Sequence, residues 1–362
     1  MKALVYDGPR TLSIRESREP IAGEGKAVIT VIATGICGSD AHGYTGETGR
    51  RVTGQIMGHE LVGRIAHDAP GLPAHTLVTV NPLIGCGECE YCEVGETQGC
   101  ATAVVIGVDP ALPGSFAEQL VVPIGNVVPL SESTPVLHGA LVEPLAVGYH
   151  AVMRGDPVPD DRLVVIGGGP IGQAVAIGAR RAGVTRILVS EPVSARRELL
   201  ERLGFASTVP DALPDASVSE LGGKPTLVVD AVGIDHTIAS ALQNSTTRAR
   251  IVLVGMGASI MTFAPYALTV AERTLIGSYC YSRAHFESTA NWVAHVRPEL
   301  DLLIGSTRPL TDGPAAFQSV ASGDGEANKV MLLSQQLDSG RVADTTTTPV
   351  PGRYSERFRT DH

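Results

Sequence analysis

Four cysteines lie within the sixteen residues GCGECEYCEVGETQGC (85–100), where they could hold a metal ion, form disulfides or carry out redox chemistry. The first three are spaced three residues apart, and the fourth follows eight residues later. Four thiolates complete a tetrahedral shell around zinc and leave no open position, which is typical of a structural site. Four free surface thiols are the alternative, which the narrow spacing and the oxidation liability of exposed thiols disfavour. We therefore predict a structural zinc lobe over residues 85–100, with the ligands Cys86, Cys89, Cys92 and Cys100.

A glycine-rich turn is the second landmark, in RLVVIGGGPIGQAVAIGARRAG (162–183), which reads as a buried strand, a turn and a helix. Gly167, Gly169 and Gly172 fit the pattern G-x-G-x-x-G. The first glycine allows the tight turn, the second lets the backbone approach a pyrophosphate, and the third brings the helix close to the strand. The start of the helix, with Pro170 and Ile171, has a positive dipole end and free N–H groups that can bind phosphates.

An acidic residue follows the next strand, RILVS, at Glu191, nineteen residues beyond Gly172. An acid at about this offset, roughly 20 residues, binds the adenosine ribose hydroxyls and repels a 2′-phosphate, which predicts NAD rather than NADP. Arg196 and Arg197 are the competing signal, because an arginine nearby can accept that phosphate. Their other interpretation is a solvated helix face on which Arg197 pairs with Glu201 one turn away. We weigh Glu191 above the arginines.

Further strands recur at the spacing of β-α-β units, in TLVVDAVG (226–233), RIVLVGMG (250–257) and RTLIGSY (273–279). Their recurrence predicts a doubly wound parallel sheet, a Rossmann nucleotide domain of the α/β class. Ligands of such sheets bind at the carboxyl ends of the strands. We therefore expect the nicotinamide half of the cofactor near Val232, Gly233, Gly255 and Ser278.

The motifs together resemble the zinc-dependent medium-chain alcohol dehydrogenase family. The resemblance is carried by CGSD at 37–40, GHE at 58–60, the four-cysteine lobe, VEP at 142–144 and the glycine turn, in the family's order and approximate spacing from residue 1 to about residue 333. The resemblance implies a β-rich, GroES-like catalytic domain of residues 1–144 and 284–362 around an NAD-binding domain of residues 145–283. It also implies two zinc ions per chain, NAD as cofactor, and a homodimer or homotetramer. Within the family, CGSD and the Glu-Pro pair at 143 look like the polyol, threonine and butanediol dehydrogenase branch.

The resemblance implies that a catalytic zinc is held by Cys37, His59 and one carboxylate, with an open position for substrate. One thiolate, one neutral imidazole and one carboxylate leave the metal a Lewis acid able to polarise an oxygen. Adjacent residues of a regular strand point to opposite faces, so His59 and Glu60 can both bind only where the backbone is irregular. That geometry favours Glu143, whereas polyol relatives use the carboxylate beside the histidine, and both carboxylates remain candidates.

The family pattern also implies roles for residues around the catalytic zinc. Asp40 is expected to accept the second N–H of His59 and fix its tautomer. Ser39 and His42 are expected to carry the substrate proton towards solvent. Cys280, in GSYCY, stands where related sugar-alcohol dehydrogenases carry an arginine that binds substrate hydroxyls. The expected pocket residues are Tyr44, Phe116 and Cys280, although core packing is the ordinary role of the two aromatic rings.

Composition excludes several other classes of function. The net charge is −10 and the sequence has no basic cluster, so neither nucleic acid nor an anionic membrane is an expected partner. No run of eighteen apolar residues occurs, and the N-terminus does not read as a signal peptide. These observations predict a cytoplasmic protein, and a reducing cytosol disfavours a disulfide framework.

The predicted function is hydride transfer between a secondary alcohol and NAD, giving the ketone. Cysteine at 280 is a poor hydrogen-bond donor, so we expect a substrate less hydroxylated than sorbitol, such as a vicinal diol, a hydroxyketone or a compact terpenoid alcohol. The alternatives are a polyol or L-threonine dehydrogenase of the same family, and a non-catalytic zinc- and NAD-binding protein. Zinc-free quinone reductases are disfavoured, because they lack the cysteine lobe and the GHE ligands.

Overall fold

The computed structural model describes residues 1–295, 297–322 and 328–334, which form a β-rich part and an α/β part. The chain enters the β-rich part first. Its elements there are β1 Lys2–Gly8, β2 Thr11–Glu16, β3 Lys26–Gly35, α1 Gly38–Thr45, β4 Glu60–Ile65, β5 Leu77–Val80, β6 Leu83–Ile84, α2 Glu90–Glu93, β7 Val104–Val105, β8 Gln119–Pro123 and β9 Val127–Pro129.

The α/β part follows, and the chain then returns to the β-rich part. The α/β elements are α3 Val142–Arg154, β10 Arg162–Ile166, α4 Pro170–Arg181, β11 Arg186–Ser190, α5 Ser194–Arg202, β12 Ala206–Thr208, α6 Leu213–Leu221, β13 Leu227–Asp230, α7 Asp235–Asn244, β14 Arg250–Leu253, α8 Pro265–Thr269, β15 Thr274–Gly277 and α9 Arg283–Val293. The returning elements are β16 Ile304–Pro309, α10 Gly313–Ser322 and β17 Lys329–Leu333.

The main sheet of the β-rich part has the strand order β16-β17-β3-β4-β5-β9, with β8 also paired to β3. The returning strand β17 runs antiparallel to β3, with Leu332 opposite Thr34. The chain therefore returns to the β-rich part through the strand KVMLL. This pairing brings a strand from the end of the described chain beside the segment that leads to Cys37.

The sheet of the α/β part is parallel throughout, in the order β12-β11-β10-β13-β14-β15. Counted from β10, this is the strand order 3-2-1-4-5-6 of a dinucleotide-binding fold. Successive residues of β10 point to opposite faces, as expected of a strand. Leu163 and Val165 pack against the core that includes α3 and α4, whereas Val164 and Ile166 pack against the core of α6 and α7. The predicted doubly wound parallel sheet is confirmed.

Helices α3 and α4 pack together unusually closely, because glycines lie at their contact. A Cβ atom at Gly148 of α3 would collide with the backbone of Ala174, and one at Gly178 of α4 would lie 2.9 Å from the Cα of Tyr149. The helix that begins at Val142 is thereby joined to the helix that begins at the glycine turn. Predicted domain boundaries at 144/145 and 283/284 fall within α3 and at the start of α9.

One helical segment among the described residues, Val136–Arg154, is long and apolar enough to cross a membrane. Because 72% of it is buried inside the molecule, its character is that of a core helix. The tail at 335–362, whose Thr and Pro content predicts little regular structure, lies outside the described residues.

Candidate functional site

The side chains of Cys37, His59 and Glu60 converge in the β-rich part, with ligand atoms within 4.8 Å of one another. Cys37 immediately precedes α1, and Glu60 is the first residue of β4. Gly58 has a positive φ of 98°, so the backbone is irregular just before this pair of adjacent residues. The strand-alternation argument that favoured Glu143 therefore fails, because His59 precedes the regular strand. Glu143 falls outside this group of three.

The donor atoms of this group fit a zinc ion. His59 is 5% exposed and Glu60 is 1% exposed, and Glu60 Oε2 has no hydrogen-bond partner among the residues that the structure describes. Buried polar groups normally have partners, so this oxygen indicates a missing ligand. A thiol, an imidazole and a carboxylate are all zinc ligands, and together they supply the mixed set of a catalytic site.

Asp40 lies beneath this group and is itself completely buried. Its Oδ2 accepts the Cys37 N–H at 3.3 Å at the start of α1, and its Oδ1 lies 3.4 Å from an Arg51 nitrogen. The distance from Oδ1 to His59 Nδ1 is 3.7 Å, longer than a hydrogen bond. Burial raises the pKa of Asp40, while the charges of His59 and Arg51 oppose the rise. Asp40 thus lies beside His59 without the predicted hydrogen bond to it, and Arg51 is its hydrogen-bond partner.

His59 and Glu60 each face a buried charge. Burial alone would lower the pKa of His59, but the charges of Asp40 and Cys37 raise it well above its usual value. Glu60 Oε1 accepts a hydrogen bond from Lys329 Nζ at 2.7 Å, and that ammonium is 3.4 Å from the carbonyl oxygen of Ile36. A buried carboxylate and a buried ammonium are therefore paired beside the metal ligands.

Glu143, at the start of α3, approaches the group from the α/β part. The buried Tyr281 hydroxyl donates a hydrogen bond to its Oε1 at 3.1 Å. Burial raises the pKa of Glu143 to about 7, although the charge of His59 opposes the rise. Burial and the charge of Glu143 raise the pKa of Cys280, which precedes Tyr281 in the chain, to about 12. The φ of Cys280 is +46°, a conformation that is uncommon for residues with a side chain and is found preferentially at functional sites.

Ser39 and His42 are exposed on α1, three residues apart and therefore on the same face. His42 Nδ1 lies 2.7 Å from Glu47 Oε2, so Glu47 orients the imidazole. That contact and a Thr45 hydrogen bond lower the pKa of Glu47. The helix thus presents a hydroxyl and an imidazole close to the metal ligand that precedes it.

Tyr44 and Phe116 lie in the core of the β-rich part rather than on the cleft. Their rings contact Phe317 at centroid distances of 5.5 Å and 5.3 Å. The Tyr44 hydroxyl donates to the carbonyl oxygen of Arg10, and Phe116 is fully buried. The structure thus differs from the prediction that these rings form a pocket wall, because both pack into one apolar cluster with Leu4.

The glycine turn connects β10 to α4 at the carboxyl edge of the parallel sheet. Gly167 has a positive φ of 94°, and a Cβ atom at Gly172 would collide with the carbonyl oxygen of Gly167. At Gly169, which precedes Pro170 and Ile171, a Cβ atom would meet only Arg196 Nη1, at 3.8 Å. This open space lies at the positive end of α4, so the turn fits the pyrophosphate of a dinucleotide.

Glu191 follows β11 and is buried beside the turn. Its Oε2 accepts the Gly168 N–H at 2.7 Å and its Oε1 accepts the Val193 N–H at 2.8 Å. Arg196 Nη1 lies 3.7 Å from Oε2 and is partly exposed. Arg197 donates to the carbonyl oxygens of Glu191 and Pro192 instead of pairing with Glu201. Of the two arginines, Arg196 is the one available to a ligand.

The remaining predicted cofactor residues gather at the same sheet edge. A Cβ atom at Gly167 would lie 2.6 Å from the Val232 side chain. A Cβ atom at Gly255 would collide with backbone atoms of Val232 and Gly233. The Val232 and Gly233 N–H groups donate to Asp230 Oδ1, at 2.9 Å and 3.0 Å. Ser278, after β15, has a buried hydroxyl without a partner among the described residues.

The four cysteines of the 85–100 lobe bring their sulfur atoms within 4.8 Å of one another. The Cys86 N–H donates to Cys100 Sγ at 3.4 Å. Hydrogen bonds from Thr102 and from the Cys86 N–H lower the pKa of Cys100 to about 6, which favours the thiolate that binds metal. All six cysteines are free thiols. Four sulfur donors that leave no coordination position open fit a structural zinc.

Four residues of the site were missed from the sequence: Arg51, Asp230, Tyr281 and Lys329. Two of them carry a signal, because Asp230 ends the buried strand LVVD and Lys329 begins the buried strand KVMLL. A charged side chain in such a strand has to be paired. Arg51 and Tyr281 carry no such signal, because their partners are residues that are distant along the chain.

Comparison with known proteins gives matches along most of the chain. The family models "Alcohol dehydrogenase GroES-like domain" and "Zinc-binding dehydrogenase" match residues 23–132 and 170–295. The chain is 33% identical over 327 residues to 2-dehydro-3-deoxy-L-galactonate 5-dehydrogenase of Pseudoalteromonas atlantica, covering 88% of this chain and 95% of that protein.

Two solved structures are similar over 92% of the chain, each with a TM-score of 0.83. One is the RspB alcohol dehydrogenase of Escherichia coli CFT073 in complex with NADH, which is 27% identical and covered over 99% of its length. The other is described as a zinc-binding dehydrogenase of Sinorhizobium meliloti 1021 bound to NADP, which is 26% identical and covered over 98%.

Proposed function

This chain belongs to the zinc-type medium-chain alcohol dehydrogenase family, and on that premise we propose that it oxidises a secondary alcohol to a ketone with NAD as the preferred cofactor. The observation that carries the proposal is the convergence of Cys37, His59 and Glu60, whose ligand atoms lie within 4.8 Å of one another. Tyr281, three residues after Ser278 of the cofactor edge, donates a hydrogen bond to Glu143 at 3.1 Å. This contact supports one cleft bordered by the metal ligands and the cofactor edge.

When bound, zinc supplies Lewis-acid polarisation of the alcohol and NAD supplies the hydride acceptor. Cys37, His59 and Glu60 would hold the catalytic ion, with Glu143 as the nearby second carboxylate. Asp40, paired with Arg51, lies behind His59. The Ser39 hydroxyl takes the substrate proton and the His42 imidazole passes it to solvent, with Glu47 holding Nδ1 and leaving Nε2 for the transfer. The four cysteines of the lobe hold the second, structural ion.

NAD preference rests on Glu191, which lies at the turn where the adenosine ribose would bind. Its carboxylate has remaining acceptor positions, because each oxygen accepts one N–H from the residues that the structure describes. Arg196, at 3.7 Å, partly neutralises that carboxylate and is the residue that would accept a 2′-phosphate. Because one of the similar solved structures is described as bound to NADP, the assay compares NAD with NADP.

The function is tested by metal analysis and kinetics on the same preparation. The zinc-loaded chain should contain two zinc ions and oxidise one or more members of a panel of diols, polyols, hydroxy acids and terpenoid alcohols at alkaline pH. Mild chelation should abolish turnover and leave the circular dichroism spectrum unchanged, whereas removal of the lobe zinc should lower stability. A fully active chain with one zinc or none would refute the proposal.

Cys280 bears on the size of the substrate, because it stands where polyol dehydrogenases carry an arginine that binds substrate hydroxyls. A hydroxyl buried without a partner costs on the order of 1–3 kcal/mol, so we expect the smaller diols and hydroxyketones to exceed sorbitol and xylitol in kcat/KM. A tenfold preference for the polyols would contradict this. The name of the Pseudoalteromonas relative adds a deoxygenated sugar acid to the panel.

We propose a homodimer or homotetramer in the cytoplasm. Strand β15 is one of the two outer strands of the parallel sheet, and exposed apolar side chains precede it in the chain, including Tyr266 and Val270. An exposed edge strand with apolar neighbours is suited to pairing with a second copy. Light scattering should give a multiple of the 37.7 kDa chain mass, and Val270→Glu should lower it, whereas Ile21→Glu, at a site 91% exposed elsewhere, should not.

A further inference from the structure

The four-cysteine lobe of residues 85–100 contacts the α/β part at the start of helix α9. The N–H of Arg283, the first residue of that helix, donates to the carbonyl oxygen of Gly95 at 2.9 Å. The first N–H groups of a helix have no partner within the helix and need one from elsewhere. A carbonyl oxygen of the lobe supplies that partner here, so the lobe completes the start of α9.

The Gly95 carbonyl is in turn held by the backbone around a sulfur donor of the lobe. The Gly95 N–H donates to the carbonyl oxygen of Cys92 at 3.1 Å, and the Glu96 N–H donates to that of Tyr91 at 2.8 Å. Both acceptors lie in α2, the short helix that carries Cys92. A zinc ion bound by Cys92 and its partners would therefore restrain the turn that meets Arg283.

The segment that ends at Arg283 carries the cofactor edge of the sheet. It begins at Ser278, whose N–H donates to the carbonyl oxygen of Leu253, the last residue of β14, at 2.9 Å. Between Ser278 and Arg283 lies Tyr281, which is 1% exposed and donates to Glu143 Oε1 at 3.1 Å. This short segment thus connects the sheet edge, the Glu143 carboxylate and the lobe.

We propose that Arg283 is a positioning residue through which the zinc lobe holds the cofactor edge, so that the lobe contributes to NAD binding as well as to stability. The inference rests on the nicotinamide half lying at this sheet edge, as in the proposed function, and holds whichever alcohol is oxidised. The Arg283 guanidinium adds a second contact to the β-rich part, because it donates at 2.7 Å to the carbonyl oxygen of Gly125, between β8 and β9. A displaced lobe therefore displaces residues 278–283.

The test compares three variants at the start of α9 in the zinc-loaded protein. Arg283→Pro removes the N–H that donates to Gly95, at the first position of a helix, where proline fits. Ser282 already has the extended backbone, with a ψ of 156°, that a residue before proline adopts. Arg283→Gln keeps the N–H and loses the guanidinium. Ser282→Ala is the matched control, because it removes the hydrogen bond from the His285 N–H to Ser282 Oγ, at 3.2 Å, and leaves the lobe contact in place.

Two readouts are taken, and neither requires turnover. Equilibrium titration with NADH should give a dissociation constant about threefold to tenfold higher in Arg283→Pro, the range for one hydrogen bond, with a smaller rise in Arg283→Gln and none in Ser282→Ala. Hydrogen–deuterium exchange of residues 85–100 reports local opening of the lobe. NADH should slow that exchange in the unaltered protein and in Ser282→Ala, and should leave it unchanged in Arg283→Pro.

An unaltered NADH affinity in Arg283→Pro, or exchange in the lobe that does not respond to NADH in the unaltered protein, would overturn the inference. An equal loss of affinity in Ser282→Ala would assign the effect to the helix end and overturn it too. Should Arg283→Pro not fold, Arg283→Gln against Ser282→Ala and the exchange of the unaltered protein decide the matter. If no alcohol is oxidised but the lobe responds to NADH through Arg283, the proposed function fails and the inference stands.

Discussion

Replacing Lys329 by methionine should destabilise the β-rich part strongly, and more so without zinc. Methionine matches the length of the lysine stem but leaves the Glu60 carboxylate, 1% exposed, without its counter-charge. Two unit charges 2.7 Å apart attract by roughly 6 kcal/mol at an effective dielectric constant of about 20. The desolvation of both groups offsets part of this, and removing one partner of a buried pair costs about 3–5 kcal/mol. We expect that loss in the zinc-free protein.

The assay is urea unfolding with and without zinc. Far-ultraviolet circular dichroism follows both parts of the chain, and the fluorescence of Trp292, its one tryptophan, follows α9 in the core of the α/β part. Bound zinc would compensate Glu60, so the loss should be smaller in the loaded protein. The shift in the unfolding midpoint, multiplied by the dependence of the free energy of unfolding on urea concentration, gives the change in that free energy.

A double-mutant cycle with Glu60→Gln isolates the pair. Each single variant leaves one buried charge unpaired, so the double variant should be more stable than either. A loss below about 1 kcal/mol in zinc-free Lys329→Met, or additive effects in the cycle, would show that water or another group compensates Glu60, contrary to the buried ion pair described here.

Three further predictions concern pH, cofactor and proton transfer. Because the folded-state pKa of Glu143 is raised to about 7 from the usual 4.5, the zinc-free folded state binds more protons between those values, so its free energy of unfolding should fall as pH rises through that window. Glu143→Gln should remove this part of the pH dependence in urea titrations, and an unchanged slope would contradict it. Glu191→Ala should lower the ratio of kcat/KM for NAD over NADP severalfold, whereas a higher efficiency with NADP in the unaltered protein would assign the specificity to Arg196. Ser39→Ala should lower kcat tenfold or more with little change in NAD affinity, and His42→Ala should alter the pH profile and be rescued partly by small basic buffers, which identical profiles would exclude.

The sequence predicted those features that depend on neighbours along the chain. The strand RILVS ends where expected, at Ser190, and Gly167 and Gly172 have the conformation and the close contact that the glycine pattern requires. The sequence could not predict contacts between segments that are distant along the chain. Lys329 meets Glu60 across 269 positions, and only the returning strand β17 brings them together.

Where sequence reasoning went wrong, it applied a regular geometry to an irregular place. Alternation along a strand separates His59 from Glu60 only if both belong to the strand, and the positive φ of Gly58 precedes a strand that begins at Glu60. Tyr44 and Phe116 were expected at the pocket from the resemblance to the family. Both rings instead pack against Phe317 in the core, a contact that the sequence did not indicate.

The close packing of α3 on α4 has a thermodynamic consequence for metal binding. Glu143 is the second residue of the first helix, and the phosphate turn leads into the second, so their close packing couples this carboxylate to the turn. Cys37, His59 and Glu60 lie in the β-rich part. A cofactor that displaces the helix pair relative to the β-rich part would change the separation of Glu143 from the remaining ligands. Zinc affinity and cofactor affinity are then linked, and each must alter the other by the same factor.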